Sequence, residues 1–107
     1  MKAMTLDPAL FRERAGEAAR LLRTMSNEHR LMILCRLGGG EMPAGELLAG
    51  TTLSQSALSQ HLAVLREDGL VATRREGQSI HYRIADPAAV QIIETLAGIF
   101  CPKEVMP

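Results

Sequence analysis

The stretch from Leu53 to Tyr82, LSQSALSQHLAVLREDGLVATRREGQSIHY, constrains the architecture of this chain more than any other. Leu58, Leu62 and Leu65 recur at helical spacing, and Ser56, Ser59, Gln60, Ala63 and Glu67 fall on the opposite face. Ser54 is a suitable N-cap, and Gly69 stops the helix after about Asp68. Leu70 to Arg75 and Ile80 to Ile84 then read as two strands, with Glu76-Gly77-Gln78-Ser79 as the turn between them. An amphipathic helix with a polar, nearly uncharged outer face therefore runs straight into a basic hairpin.

The flanking sequence supplies four more helices. Asp7-Pro8 is a cap followed by a proline at the first helical position, and a helix from about Pro8 to Thr24 follows. Phe11, Ala15, Ala18, Leu22 and Met25 form its apolar stripe. Ser26-Asn27 caps a second helix, Glu28 to Leu37, whose LMILC segment is apolar almost all round and is expected to be the central buried helix. Gly38, Gly39 and Gly40 end it. Pro43 opens a short third helix to Ala49, with Leu47 and Leu48 inward, and Gly50-Thr51-Thr52 is the turn before the fourth. Asp86-Pro87 starts a last helix that runs to about Phe100 and is ended by Pro102.

Bulk properties bound the function. A chain of 107 residues makes one small domain with a modest core, and with 3% aromatics and no Trp that core is aliphatic. Twelve basic and twelve acidic residues give zero formal net charge, which argues against indiscriminate nucleic-acid binding but leaves room for a local basic patch. No run approaches the ~18 apolar residues of a membrane span, and MKAMTLDPALF lacks the apolar core of a signal peptide. A cytoplasmic location is the expectation. In a reducing compartment the two cysteines, Cys35 and Cys101, are expected as buried free thiols and not as a permanent disulfide.

The outer face of the fourth helix carries Ser54, Gln55, Ser56, Ser59, Gln60 and His61, with no acidic or basic side chain before Arg66 other than that histidine. Short polar side chains let a helix enter a major groove, Gln can pair bidentately with adenine, and Ser can bond base edges or phosphates. The hairpin adds Arg74, Arg75 and Arg83, suited to phosphates or an adjacent minor groove. On composition alone a DNA-reading face and a merely solvated one stand about level.

The segments LSQSALSQHLAVLREDGLV and TRREGQSIHYRIADP resemble the ArsR/SmtB family of winged helix-turn-helix repressors, and the resemblance extends from Ala18 to Pro102. It implies a mainly α fold of five helices with a small β-hairpin wing, dimeric, in which the fourth helix and the wing bind a double-stranded operator. The DNA-binding set is then Ser54, Gln55, Ser56, Ser59, Gln60, His61, Arg74 and Arg75, with His61 toward the side of the helix and packing on the wing. Arsenic-sensing members carry a cysteine pair in the third helix, where this chain reads GELLAG. Zinc-sensing members use Asp and His near the start of the last helix and His and Glu near its end. Here Asp86 is followed by Ala88, and AGIFCP offers no histidine, so Asp86 reads as an N-cap and no metal or other cofactor is expected. A BigR/SqrR-like subset, sensing sulfide and persulfide, has cysteines in contexts like RLMILCRL and IFCP, both of which stand here. This implies Cys35 and Cys101 as a redox-sensing pair that closes within one subunit in response to reactive sulfur species or oxidants. Against it, a thiol within an apolar helix is a poor nucleophile and a helix C-terminus disfavours a thiolate.

The last helix, AAVQIIETLAGIF, has apolar residues on more than one face, so it and the first helix are expected to meet a second copy across a two-fold axis. Such a homodimer would read an inverted repeat with half-sites about one DNA turn apart. Three other readings are weighed against the thiol-switched repressor. One is a repressor of the same family with inert cysteines and a metal or small-molecule effector. Another is a small thiol enzyme, for which the chain lacks a Cys-x-x-Cys pair. The last is a winged helix that contacts only proteins.

Overall fold

The computed structural model describes residues 6–101. Pro102, expected to end the last helix, lies outside that range. Five helices and three strands follow one another as α1 (Pro8–Met25), α2 (Glu28–Leu37), β1 (Met42–Pro43), α3 (Ala44–Ala49), α4 (Gln55–Glu67), β2 (Val71–Glu76), β3 (Ser79–Ile84) and α5 (Pro87–Phe100). The helix starts are fixed by side chains that satisfy otherwise unpaired amides. Asp7 accepts from the Ala9 N–H, Asn27 from those of His29 and Arg30, Ser54 from Ala57 and Asp86 from Ala88.

The wing is tighter than the sequence suggests. Glu76 pairs with Ser79, so only Gly77 and Gln78 form the loop. Gly77 alone of the two has a positive φ, 61°, which suits the first position of a type II′ hairpin turn. The sheet also has a third strand that the sequence did not announce. Met42 and Pro43 pair antiparallel with Tyr82 and His81, giving the order β1-β3-β2. Pro43 thus closes a strand and caps α3, where it was expected to open the helix. Two residues are too few to show any alternation, and proline at a strand edge needs no ladder N–H.

The core is a single cluster in which Ile33, Leu34 and Leu37 of α2 pack with Leu58, Leu62 and Leu65 of α4, joined by Met25, Leu47, Leu70, Val71 and Ala89. Only the last turns of α1 reach it: Met25 is buried and Leu21 packs on the cluster half-buried, while Phe11 and Leu22, expected inward, are 57% and 55% exposed. The apolar stripe of α1 outruns the core of its own chain. The radius of gyration, 16.0 Å, exceeds the ~13 Å of a compact chain of this length, as an overhanging helix and a projecting wing require.

The C-terminal end of α4 is tied back to α1. Asp68, its C-cap, accepts from Arg20 at 2.8 Å and from the Thr24 hydroxyl. The hydrogen bond from Arg20, then that from Thr24, holds the Asp68 carboxyl below the usual carboxylate range.

Leu34 has no exposed surface and sits at the α2–α4 contact. Leu34→Ala is expected to cost about 2–5 kcal/mol in urea unfolding, whereas Leu22→Ala on the uncovered face should cost well under about 1 kcal/mol at low protein concentration.

Candidate nucleic-acid interface and thiol groove

Burial of Leu58, Leu62 and Leu65 turns the other side of α4 outward, and Gln55, Ser56, Ser59, Gln60, Ala63, Arg66 and Glu67 are all exposed there. Ser54 is partly committed, since its Oγ accepts the Ala57 N–H at 3.1 Å, and it stands 3.5 Å from the Ser56 hydroxyl. Five of the expected reading residues, Ser54, Gln55, Ser56, Ser59 and Gln60, therefore share one open surface. His61 does not join them. Its ring lies 5.6 Å from that of His29, and its Nδ1 is 3.3 Å from an Arg30 guanidinium nitrogen, so it faces α2 and not the wing. Arginine only donates, which makes Nδ1 the acceptor of a neutral ring. Burial, then the Arg30 and His29 charges, pushes the His61 pKa down.

The wing arginines separate by strand register. In β2–β3, Arg74 is opposite His81 and Ala72 opposite Arg83, so Arg74, His81 and Arg83 share one face of the ribbon. Arg75 pairs with Ile80 and Thr73 with Tyr82 on the other face. Tyr82 lines a groove of about 390 Å³ with Ser59, Leu62, Ala63, Arg66 and Glu67 of α4, so the Arg75 face is the one turned toward α4. Arg75 makes no ion pair among the described residues. Arg74, expected as an available cation, is held between Glu41 and Glu76, each at 2.7 Å. Those hydrogen bonds raise its pKa further, and Arg74 in turn holds the Glu41 carboxyl below its usual range. Glu41 was not legible as a partner, because it reaches Arg74 only through the unannounced strand β1.

The two cysteines are exposed and unbridged, which corrects the expectation of buried thiols. The core takes Ile33, Leu34 and Leu37 of α2, leaving Met32 and Cys35 on a flank that the chain does not cover. That flank meets the end of α5, where Cys101 is the C-cap. Cys35 and Cys101 line one groove of about 260 Å³ with Leu31, Met32, Ile93, Leu96, Ala97 and Phe100. Among the described residues no three His, Cys, Asp or Glu side chains gather as a metal site. Asp86 accepts the Ala88 N–H at 2.9 Å, as an N-cap does. No described helix is long and apolar enough to cross a membrane.

Residues 27–73, from the start of α2 into β2, match the model of the bacterial regulatory protein, arsR family. A biofilm growth-associated repressor of Agrobacterium fabrum is 48% identical over 92 residues, which are 86% of this chain and 79% of that protein. The chain belongs to the ArsR family. The transcriptional repressor BigR from Xylella fastidiosa superposes with a TM-score of 0.85 at 42% identity, covering 92% of this chain and 100% of that one. Reduced HlyU from Vibrio cholerae does so at 0.81 and 46%, covering 85% and 96%. The family and fold agree with those that the α4–wing sequence implied: this is a winged helix-turn-helix transcriptional regulator, and its relatives are regulators, not enzymes.

The lowered His61 pKa gives a pH test. A depressed folded-state pKa means that the neutral ring's contribution is present above the usual histidine value and is lost as pH falls through the folded one. The urea midpoint should therefore drop between about pH 7.5 and about pH 5.5, and His61→Gln should lessen that drop.

Proposed function

We propose that this protein is a homodimeric, sequence-specific repressor that leaves its operator when Cys35 and Cys101 of one subunit are joined. The observation that carries the thiol half of this reading is the shared groove: two exposed thiols from α2 and α5 open on the same apolar cleft. The relative solved as reduced HlyU supports treating oxidation state as a variable in this lineage.

The chemistry balances with a hydropersulfide as the signal. One cysteine thiolate attacks the terminal sulfur of R–S–SH, forming Cys–S–SH and releasing the thiolate R–S⁻, which takes a proton from water. The second thiolate attacks the Sγ of the first cysteine and breaks its bond to the outer sulfur, forming the Cys35–Cys101 disulfide and expelling hydrosulfide. The two cysteines lose two electrons and the transferred sulfur gains them. Hydrogen peroxide would act through a sulfenic acid, with one water leaving as it forms and a second as the other thiol closes the disulfide.

For DNA, α4 would enter the major groove with Gln55, Ser56, Ser59 and Gln60 toward base edges, while Ser54 caps the helix end beside a phosphate. Arg75 is the wing cation best placed to meet the backbone, while the charge of Arg74, on the other face of the ribbon, is offset by Glu41 and Glu76. The exposed Leu10, Phe11 and Leu22 of α1 and Ile99 and Phe100 of α5 are apolar surface that a second copy would cover, which sets two reading helices against an inverted repeat. The whole chain then acts as one module, with its end helices serving dimerisation.

Two outcomes test the reading. The Gln55/Ser56/Ser59 triple alanine variant should lose about 1–3 kcal/mol of preference for operator over random DNA in mobility shifts. Arg75→Ala should weaken both alike and lower the salt slope by about one. Unchanged operator affinity in the triple variant would remove α4 as the reader. Separately, Cys35→Ser and Cys101→Ser should bind operator when reduced and stay bound after persulfide treatment that releases the wild type. Release of either serine variant at the wild-type persulfide dose would return the cysteines to inert thiols.

A further inference from the structure

The residue next to Cys35 reaches a different neighbour, α3. Arg36 projects from α2 onto the end of α3, where one guanidinium nitrogen donates to the Leu47 carbonyl and the other to the Glu46 carbonyl, each at 2.9 Å. These carbonyls belong to the last turn of α3, immediately before the Gly50–Ser54 turn that leads into α4. Gly50 makes room for this. A Cβ placed there would stand 2.3 Å from the guanidinium carbon, so any side chain would push Arg36 away. The φ of Gly50, −92°, is open to every residue, so what this position requires is space and not a left-handed backbone.

We propose that Arg36 is a positioning residue that couples the thiol groove to the DNA-reading helix. The proposal rests on the thiol-switch reading above. Successive residues on a helix point about 100° apart, so Cys35 faces α5 while Arg36 grips α3. Closing the Cys35–Cys101 bridge draws that flank of α2 toward the end of α5. A helix turns as a rigid rod, and the paired bonds of a planar guanidinium tolerate little sliding. The turn of α2 is therefore passed through Arg36 to the end of α3 and on to the start of α4. Arg30, which donates to the Thr24 carbonyl at 2.6 Å and contacts His61, holds the other end of α2 against α1 and α4. Movement is thereby directed to the Arg36 end.

Two variants break the grip in different ways: Arg36→Gln removes the fork, and Gly50→Ala keeps it but displaces it. Operator dissociation constants are measured for reduced protein and for protein bridged with a persulfide donor, with the Cys35–Cys101 bridge quantified by peptide mass mapping. Wild-type protein should bind about 5- to 150-fold more weakly when bridged. In both variants the bridge should form fully while the bridged-to-reduced ratio falls toward about one. A variant that weakens reduced binding but keeps the wild-type ratio shows a purely structural arginine and overturns the proposal. Fully bridged wild-type protein that still holds the operator overturns the thiol reading, and the coupling with it.

Discussion

The outward polar face of α4 and the open flank of α2 are both set by the packing of α2 against α4. Ile33, Leu34 and Leu37 on one side and Leu58, Leu62 and Leu65 on the other are buried together, and each set comes from one helical face. Burying those leucines leaves α4 only one orientation, with its serines and glutamines outward. Burying the three α2 residues also leaves Met32 and Cys35 on the outside. The polar outer face of α4 and the exposed thiol are thus two consequences of one apolar contact.

Around that contact, polar ties fix the frame. Asp68 joins the end of α4 to Arg20 and Thr24 of α1, Arg30 joins α2 to the end of α1 and to His61, and Arg36 joins α2 to α3. Each tie uses a charged side chain to satisfy a carbonyl or carboxylate near a helix end, where backbone groups lack partners. Their net contributions to stability are modest, but they set directions. A change in α2 therefore has few routes to the rest of the molecule, and the one that leads to α3 starts beside Cys35.

The parts legible in the sequence were those with a strong local signal. Caps at Asp7, Asn27, Ser54 and Asp86, the leucine spacing of α4 and the paired strands around Gly77 all have the form expected from their residues. What was not legible depends on distant partners. LMILC is apolar on every side, so periodicity could not say that its Cys35 flank lies open. The stripe of α1 was visible, but not that Phe11 and Leu22 lie beyond the reach of the chain's own core. Strand β1 was too short to leave a pattern, and with it went the pairing of Arg74 with Glu41 and the distinction between Arg74 and Arg75. His61 was placed on the correct helix but against the wrong neighbour, since only the tertiary fold brings His29 and Arg30 beside it.

The central claim is that one dithiol groove governs the grip of α4 on DNA. The most direct measurement is an anisotropy titration of labelled operator with a single preparation in three successive states: reduced, bridged with a persulfide donor, and reduced again with dithiothreitol. The account predicts tight binding, weakened binding and restored tight binding, with the weakening proportional to the fraction of Cys35–Cys101 bridge in each sample. Binding that stays constant at full bridging, or that is lost without recovery on reduction, would contradict it.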